Sequence, residues 1–254
     1  MDASFLSLEG KVALITGGSR GIGMETALTF ADAGAAVAIA SRKLLDLEAV
    51  ANKIRALGRP ALTVSAHARR PEDLRVLVEK VMETFGRIDI LVNNAATNPG
   101  MGPLIEADEK LFDQIMETNL KGYFLLSQLV GRIMMTQENG VIINVSSAAG
   151  VSPAEGLGPY CISKAGINML TKTLAMELGP YNIRVNAIAP RIVSTGFSRA
   201  LWSNEELMEQ EYRNVPLKRV ATAREIAQTA LFLASGAANY MTGHILVMNG
   251  GAFF

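Results

Sequence analysis

The chain has 254 residues, 49% of them hydrophobic and 19% charged. Lysine plus arginine and aspartate plus glutamate each number 24, so the formal net charge is zero and the basic footprint of a nucleic-acid binder is missing. With no apolar run near the ~20 residues of a membrane span, the composition is that of one α/β domain with a large core. The single cysteine, Cys161, cannot close an intrachain disulfide, which fits a reducing compartment. The start, MDASFLSLEGKVALITGG, carries an acid early and lacks a basic segment followed by a long apolar one, so no signal peptide is expected. The end, GGAFF, is not a Ser-Lys-Leu peroxisomal address. These features point to a cytoplasmic protein with small-molecule or protein partners, no nucleic acid, no membrane and no metal site.

The first predicted strand is Val12–Thr16, VALIT, apolar nearly throughout as a strand covered on both faces should be. GGSRGIG, Gly17–Gly23, follows at once. Glycines at 17, 21 and 23 permit a tight turn, close backbone approach and a helix starting hard against a sheet. Free N–H groups and the positive dipole end of that helix, from Ile22, suit a pyrophosphate. The spacing is Gly-x-x-x-Gly-x-Gly, and strand before with helix after favours dinucleotide binding over an ordinary βα turn.

The second strand, Ala36–Ser41, ends in ASRK, with Ser41 and Arg42 where an NAD-preferring site usually carries an acid for the ribose 2′-hydroxyl. A guanidinium suits a 2′-phosphate instead, and Arg20 in the glycine turn offers a second cation on that side. The reading favours NADP, with NAD as the alternative. A helix over Asp46–Leu57, a strand over Ala61–Ser65 and a helix over Glu72–Phe85 come next. A strand over Ile88–Asn93, a helix over Leu111–Met135 and a strand over Gly140–Ser146 follow. The series closes with a helix over Ala165–Leu178 and strands over Ile183–Ala189 and Ile245–Met248. This alternation predicts βαβ units: a doubly wound, parallel, seven-stranded sheet of Rossmann type with helices on both faces. No repeat, low-complexity tract or proline-rich linker marks a boundary, so residues 1–254 read as one domain. The segment 194–217, which holds the only tryptophan, Trp202, reads either as a surface helical excursion or as a lid over a substrate pocket.

Tyr160 and Lys164 in YCISK stand four apart, and on a helix they share one face. Alone, that spacing is as well explained by a solvated helix face. Taken with TGGSRGIG, NNAA at 93–96, Asn119 in TNL, Ser147 and the closing YMTGHILVMNGG, it gives a chain that resembles the short-chain dehydrogenase/reductase family over essentially its whole length. Within that family it is similar to NADP-dependent carbonyl reductases and 3-oxoacyl reductases. The family's serine stands thirteen residues before its tyrosine, which selects Ser147 over Ser146. The resemblance implies hydride transfer between NADP(H) and a ketone or secondary alcohol. In it Tyr160 is the proton donor, or as phenolate the base, and Ser147 holds the substrate oxygen. Lys164 holds the ribose hydroxyls and depresses the tyrosine, and the Asn119 backbone carbonyl orders a water beside the lysine. A cation ~4 Å from the phenolate contributes about 4 kcal/mol at an effective dielectric of ~20, a shift of up to about three pKa units before desolvation opposes it. For cofactor contacts the resemblance implies Gly17, Ser19, Arg20, Gly21, Ile22, Gly23, Ser41, Arg42, Asn94, Ala95, Tyr160, Lys164, Pro190, Val193 and Thr195. It further implies a homotetramer through two long helices and the last strand.

Two positions depart from the family pattern. His67 stands where an Asp commonly lies beside adenine, and reads as a contact to the adenine edge rather than a base. Arg191 replaces the glycine of Asn-x-x-x-Pro-Gly. It either points outward or caps a helix, or else reaches the pyrophosphate or an anionic substrate. The expected pocket walls, 97–104, 148–157 and 194–217, are mostly apolar and small, as for a medium-sized hydrophobic carbonyl; an acyl thioester remains open. A 3-oxoacyl thioester reductase, an NAD-dependent alcohol dehydrogenase of the same family and a dinucleotide sensor without turnover are the competing readings. The sensor reading is disfavoured because both tyrosine and lysine are present.

Overall fold

The computed structural model of the chain describes residues 3–252. In chain order it runs β1 (Val12–Thr16), α1 (Gly21–Asp32), β2 (Ala36–Ser41), α2 (Leu44–Ala56), β3 (Ala61–Ser65), α3 (Pro71–Phe85) and β4 (Ile90–Asn93). Then come α4 (Glu109–Met116), α5 (Gly122–Gln137), β5 (Gly140–Val145), α6 (Gly158–Leu178), β6 (Ile183–Pro190) and β7 (Val193–Ser194). The series ends with α7 (Arg199–Trp202), α8 (Glu205–Asn214), β8 (Ala221–Thr222), α9 (Ala223–Ala234) and β9 (Ile245–Met248). Short 3-10 turns lie between some of these.

Seven strands form one parallel sheet in the order β3-β2-β1-β4-β5-β6-β9. This is the Rossmann-type doubly wound sheet that the alternation predicted. Side chains leave a strand to alternate faces. Ala13 and Ile15 therefore join α1, α2 and α9 in one core, while Val12 and Leu14 join α3, α5 and α6 in the other. Leu14, Ile15, Ile39 and Leu91 are wholly buried, each contributing about 1.5–3 kcal/mol relative to exposure. The chain starts at the centre with β1, winds outward to β3 and returns beside β1 as β4. Winding reverses there, and a crevice opens beyond the carboxyl ends of those two strands.

The centre of the sheet also carries polar ties. The Asn93 amide nitrogen donates to Ser127 Oγ at 3.0 Å and to Asn144 Oδ1 at 2.9 Å. The Asn144 amide nitrogen donates to Thr171 Oγ1 at 2.9 Å. A buried polar group needs such partners, and these fix α5 and α6 against β4 and β5.

Several boundaries differ from the sequence expectation. The strand expected from Ile88 begins at Ile90, because Asp89 turns inward to accept from the Val12 N–H at 2.9 Å and from Arg87 Nε at 2.8 Å. The helix expected over Leu111–Met135 is α4 and α5 joined by a π turn, Glu117–Lys121. The helix expected from Ala165 starts at Gly158, with Pro159 in the first turn, where a missing N–H costs nothing. That earlier start puts both Tyr160 and Lys164 inside α6.

Candidate active site

The crevice begins at the glycine turn. A Cβ on Gly23 would lie 2.3 Å from the Gly17 carbonyl oxygen, and one on Gly17 would lie 2.7 Å from Asn94 Nδ2. Gly21 has φ +56°. No side chain caps the N-terminus of α1, whose N-cap position is Arg20. The first-turn N–H groups thus face a space that only glycines leave open, which fits a pyrophosphate. Behind it, Thr16 Oγ1 accepts from the Asn94 and Ala95 N–H groups at 3.0 and 3.2 Å. Asn94 Nδ2 donates to the carbonyls of Thr16 and Gly17 at 2.9 and 3.2 Å. Asn94 and Ala95 are therefore stitched to the turn itself and shape it from beneath. Ser19 and Ile22 are half-buried in the same turn.

Arg20 in the turn and Arg42 just after β2 are exposed, and neither guanidinium has a hydrogen bond or ion pair among the described residues. Ser41 pairs with Ser65 at the end of β2, and the Arg42 carbonyl accepts from Ser65 Oγ at 3.1 Å. His67 sits just beyond β3. Its N–H donates to Asp73 Oδ2 at 2.8 Å, and its Nδ1 accepts from the Arg69 N–H at 3.2 Å. Burial first, then Arg69, Arg42 and Arg70, hold its imidazole below the ordinary pKa, with Asp73 opposing. With Nδ1 accepting, Nε2 is the ring nitrogen left to donate.

Ser147, Tyr160 and Lys164 meet above β5. Ser147 follows β5 in extended backbone and caps a short turn, its Oγ accepting from the Ala149 N–H at 3.1 Å and donating to the Pro190 carbonyl at 3.4 Å. Its hydroxyl also hydrogen-bonds the Tyr160 phenol. Lys164 is 1% exposed, its Nζ donates to the Val145 carbonyl at 2.7 Å and lies 5.5 Å from the Tyr160 ring centre. Ser146, the neighbour not selected, points away and donates to Asn168 Oδ1 at 2.6 Å and to the Lys164 carbonyl at 3.2 Å. A Cβ on Gly150 would meet the Lys164 backbone at 2.6 Å, so the turn after Ser147 packs directly on α6.

The electrostatics differ from the expectation that Lys164 depresses Tyr160. Although Tyr160 is only half-buried, burial pushes its phenol up to about 12; the Ser147 hydrogen bond pulls the other way and Cys161 adds to the rise. Burial draws Lys164 down to about 7. The reason is that the lysine pulls on its neighbour only in its charged form, and desolvation makes that form less favourable near neutrality. In the protein by itself, the tyrosine is a protonated acid.

Asn119 lies on the π turn, where irregular helices often meet functional sites. Its Oδ1 accepts from the Thr97 N–H at 2.8 Å and its Nδ2 donates to the Thr97 carbonyl at 3.0 Å and to Ser163 Oγ at 3.2 Å. The side chain thereby ties the loop after β4 to α6. Two of the expected walls touch each other, and the third touches Tyr160. Gly102 bridges to Leu157, and the Phe197 ring centre lies 6.4 Å from that of Tyr160. Thr195 reaches the glycine turn, since a Cβ on Gly21 would meet its Cγ2 at 3.3 Å. Val193 puts its side chain into the core, which leaves only its main chain for a ligand.

Arg191 follows neither sequence reading. Its Nε donates to Glu211 Oε1 and its Nη2 to Glu211 Oε2 at 2.8 Å, a bidentate pair with α8. The 194–217 segment, including α7 and α8, is thus clamped to the turn after β6. Trp202 Nε1 secures it again on the Thr195 carbonyl at 2.8 Å. A cavity of about 240 Å³ lies under α8 and is lined by Arg191, Glu211, Val215, Arg219 and Met248; none of Ser147, Tyr160 and Lys164 borders it. Sequence reasoning missed Thr16, Asn168, Phe197, Glu211 and Tyr123, whose only signal is spatial. No group of three or more potential metal ligands occurs among the described residues. No helix among them is long and apolar enough to cross a membrane.

A hydroxyl, a phenol and an amine that converge in a fold with a glycine turn at the first strand are the equipment of nicotinamide-dependent oxidoreductases working on alcohols and carbonyls. Comparison with known proteins leads to the same class. A family model described as enoyl-(acyl carrier protein) reductase matches residues 17–252. Dehydrogenase/reductase SDR family member 4 of Oryctolagus cuniculus is 38% identical over 245 residues, 96% of this chain and 94% of its own. The 3-oxoacyl-(acyl-carrier-protein) reductase FabG of Thermotoga maritima is 38% identical over 247 residues, 97% of this chain and 99% of its own. A solved 7α-hydroxysteroid dehydrogenase, complexed with NADH and 7-oxo glycochenodeoxycholic acid, superposes with a TM-score of 0.95. It is 34% identical, covering 99% of this chain and 98% of that one. The chain belongs to the short-chain dehydrogenase/reductase family, and it is an NAD(P)-dependent oxidoreductase acting on CH–OH and carbonyl groups.

Proposed function

We propose that the protein is an NADP(H)-dependent reductase of ketones, with the secondary alcohol as product. The observation that carries this reading is the Tyr160 phenol hydrogen-bonded by Ser147, with the buried Lys164 Nζ 5.5 Å from its ring centre. Bound at the glycine turn, the dinucleotide supplies the hydride. The chain's own residues do the rest. Ser147 hydrogen-bonds the carbonyl oxygen and stabilises the negative charge that develops there, as preorganised donors do. Tyr160 delivers its proton to that oxygen, and Lys164 steadies the phenolate left behind. The Asn119 carbonyl, on the π turn, is assigned the water through which the proton is replaced. Arg42 and Arg20 receive the 2′-phosphate, Ser41 supports it, and His67 meets the adenine edge. Gly17, Ser19, Gly21, Ile22 and Gly23 form the pyrophosphate cradle. Pro190, Val193 and Thr195 hold the carboxamide.

Residues 194–217 act as a lid within a single domain, and their Phe197 and Trp202, with Leu104, favour a medium-sized hydrophobic carbonyl. A second reading, 3-oxoacyl thioester reduction, is supported by the likeness to the Thermotoga maritima reductase. The test is a screen of NADPH consumption over diketones, quinones, aldehydes, steroids and acetoacetyl thioesters, run beside Tyr160→Phe. No turnover of any carbonyl would leave the reductase reading without support.

The Arg191–Glu211 clamp gives a separable expectation. Because the guanidinium is engaged with α8, Arg191→Gly leaves the NADP(H) Kd within about twofold but raises substrate KM several-fold, as lid closure loses a bidentate ion pair. A dinucleotide Kd that rises with KM unchanged would put the guanidinium on the pyrophosphate instead. For assembly we propose a homotetramer. Phe124 on α5 and Met169 and Met176 on α6 leave large apolar side chains exposed, which supports it. Light scattering that finds a monomer at working concentration would refute the assignment.

A further inference from the structure

A second tyrosine, this one buried, stands beside the catalytic pair and has no place in the steps above. Tyr123, on α5, is 2% exposed. Its Oη donates to the Val145 carbonyl at 3.3 Å, the same oxygen that takes the Lys164 Nζ at 2.7 Å. Its ring centre lies 5.4 Å from Nζ, matching the 5.5 Å of Tyr160. Both rings are within the ~6 Å reach at which an aromatic face attracts a cation.

The rest of the lysine's surroundings offers little to a charge. No ion pair among the described residues includes Lys164. The groups that face the pair are Tyr160 and Cys161 from α6, Tyr123 from α5, the Val145 carbonyl from β5 and Ser147 from the loop after it. None is a carboxylate. The lysine backbone is fixed by Ser146 and by its packing on Gly150, so what remains to be held is the side chain.

We propose that Tyr123 is a positioning residue for the reaction: its ring face stabilises the Lys164 ammonium, and its hydroxyl shares the Val145 carbonyl that fixes where that ammonium sits. It acts on Tyr160 through the lysine and touches neither substrate nor hydride. The chemistry is specific to the ring. Phenylalanine keeps the aromatic face and drops only the shared hydrogen bond, whereas methionine or leucine fills the space without a π face. The proposal rests on the reading of Lys164 as the partner of Tyr160, so its test includes a readout that needs no turnover.

The experiment labels lysine with 13C at Cε and follows the Lys164 resonance with pH in the full chain, assigned by its loss in Lys164→Met. Burial places the wild-type midpoint at about 7. Loss of the ring disfavours the charged form, so Tyr123→Met moves the midpoint down by about half to one unit, while Tyr123→Phe stays within about 0.2 unit. In kinetics of alcohol oxidation, the acid limb of kcat moves the opposite way, up in Tyr123→Met, because a less charged lysine leaves the phenol harder to ionise; KM changes less than twofold. Tyr123→Leu serves if the methionine variant does not fold, with the melting temperature checked for each. An unmoved Lys164 midpoint in a folded aliphatic variant, or an equal shift in Tyr123→Phe, would overturn the proposal. A shifted midpoint with no turnover on any carbonyl would uphold the contact while refuting the reductase reading.

Discussion

Tyr160→Phe is expected to lower kcat for carbonyl reduction by roughly 10²–10⁴-fold while the dinucleotide Kd stays within about threefold. The change deletes one oxygen and keeps the ring, whose centre lies 6.4 Å from that of Phe197. Hydride arriving at a carbonyl carbon without a proton for the oxygen leaves an alkoxide in a poorly hydrated crevice. Ser147 can hydrogen-bond that oxygen, but its own proton is not free to leave, since a serine hydroxyl is a far weaker acid than a phenol. General acid catalysis by one positioned group contributes about 10²–10⁴, a barrier difference of about 3–5.5 kcal/mol. Steady-state rates and fluorescence titration of NADPH separate the two quantities. Retention of more than a tenth of kcat would mean that the proton comes from elsewhere.

Arg42→Asp is expected to reverse the cofactor preference, with kcat/KM for NADPH falling roughly 10²–10⁴-fold and that for NADH changing little or rising. The guanidinium is exposed and makes no hydrogen bond or ion pair among the described residues, its one noted influence being on the nearby His67 imidazole, so its removal costs the fold little. A hydrogen bond to a charged group is worth about 1.5–3 kcal/mol. Replacing the cation by an anion adds like-charge repulsion against a 2′-phosphate, while the same carboxylate can accept from a ribose 2′-hydroxyl. Parallel assays of the two dinucleotides with one substrate give the ratio directly. If the unmodified protein prefers NADH by more than tenfold, the role given to Arg42 is wrong. Arg20, the second cation on that side, then becomes the next candidate to remove.

The parts legible in the sequence share a physical character. Strands covered on both faces are apolar nearly throughout, so VALIT and AVAIAS marked β1 and β2 to the residue, and the short β-branched run ALTVS marked the more exposed edge strand β3. The glycine turn was legible because a Cβ at Gly23 has nowhere to go, and a constraint that severe leaves a trace in residue type. The Tyr160–Lys164 pair was legible because one turn of one helix fixes it. What failed to show were interactions between segments far apart in the chain. The π turn at Glu117–Lys121 leaves no mark in the hydrophobic period. Arg191 finds Glu211 only when α8 folds back over the turn after β6, and either residue alone reads as a surface charge. Tyr123 looks like an ordinary core position on an apolar helix.

The amino-acid order by itself determined the sheet, the glycine turn, the family and the three groups that meet at the site, because each rests on local stereochemistry or on spacing along one element. Only the tertiary structure decided how those groups are charged. The proton affinities of Tyr160 and Lys164 follow from how much water the packing of α5, α6 and β5 removes and which oxygen remains nearby. Desolvation depends on the whole surrounding shell of atoms, and no stretch of the chain encodes that shell on its own.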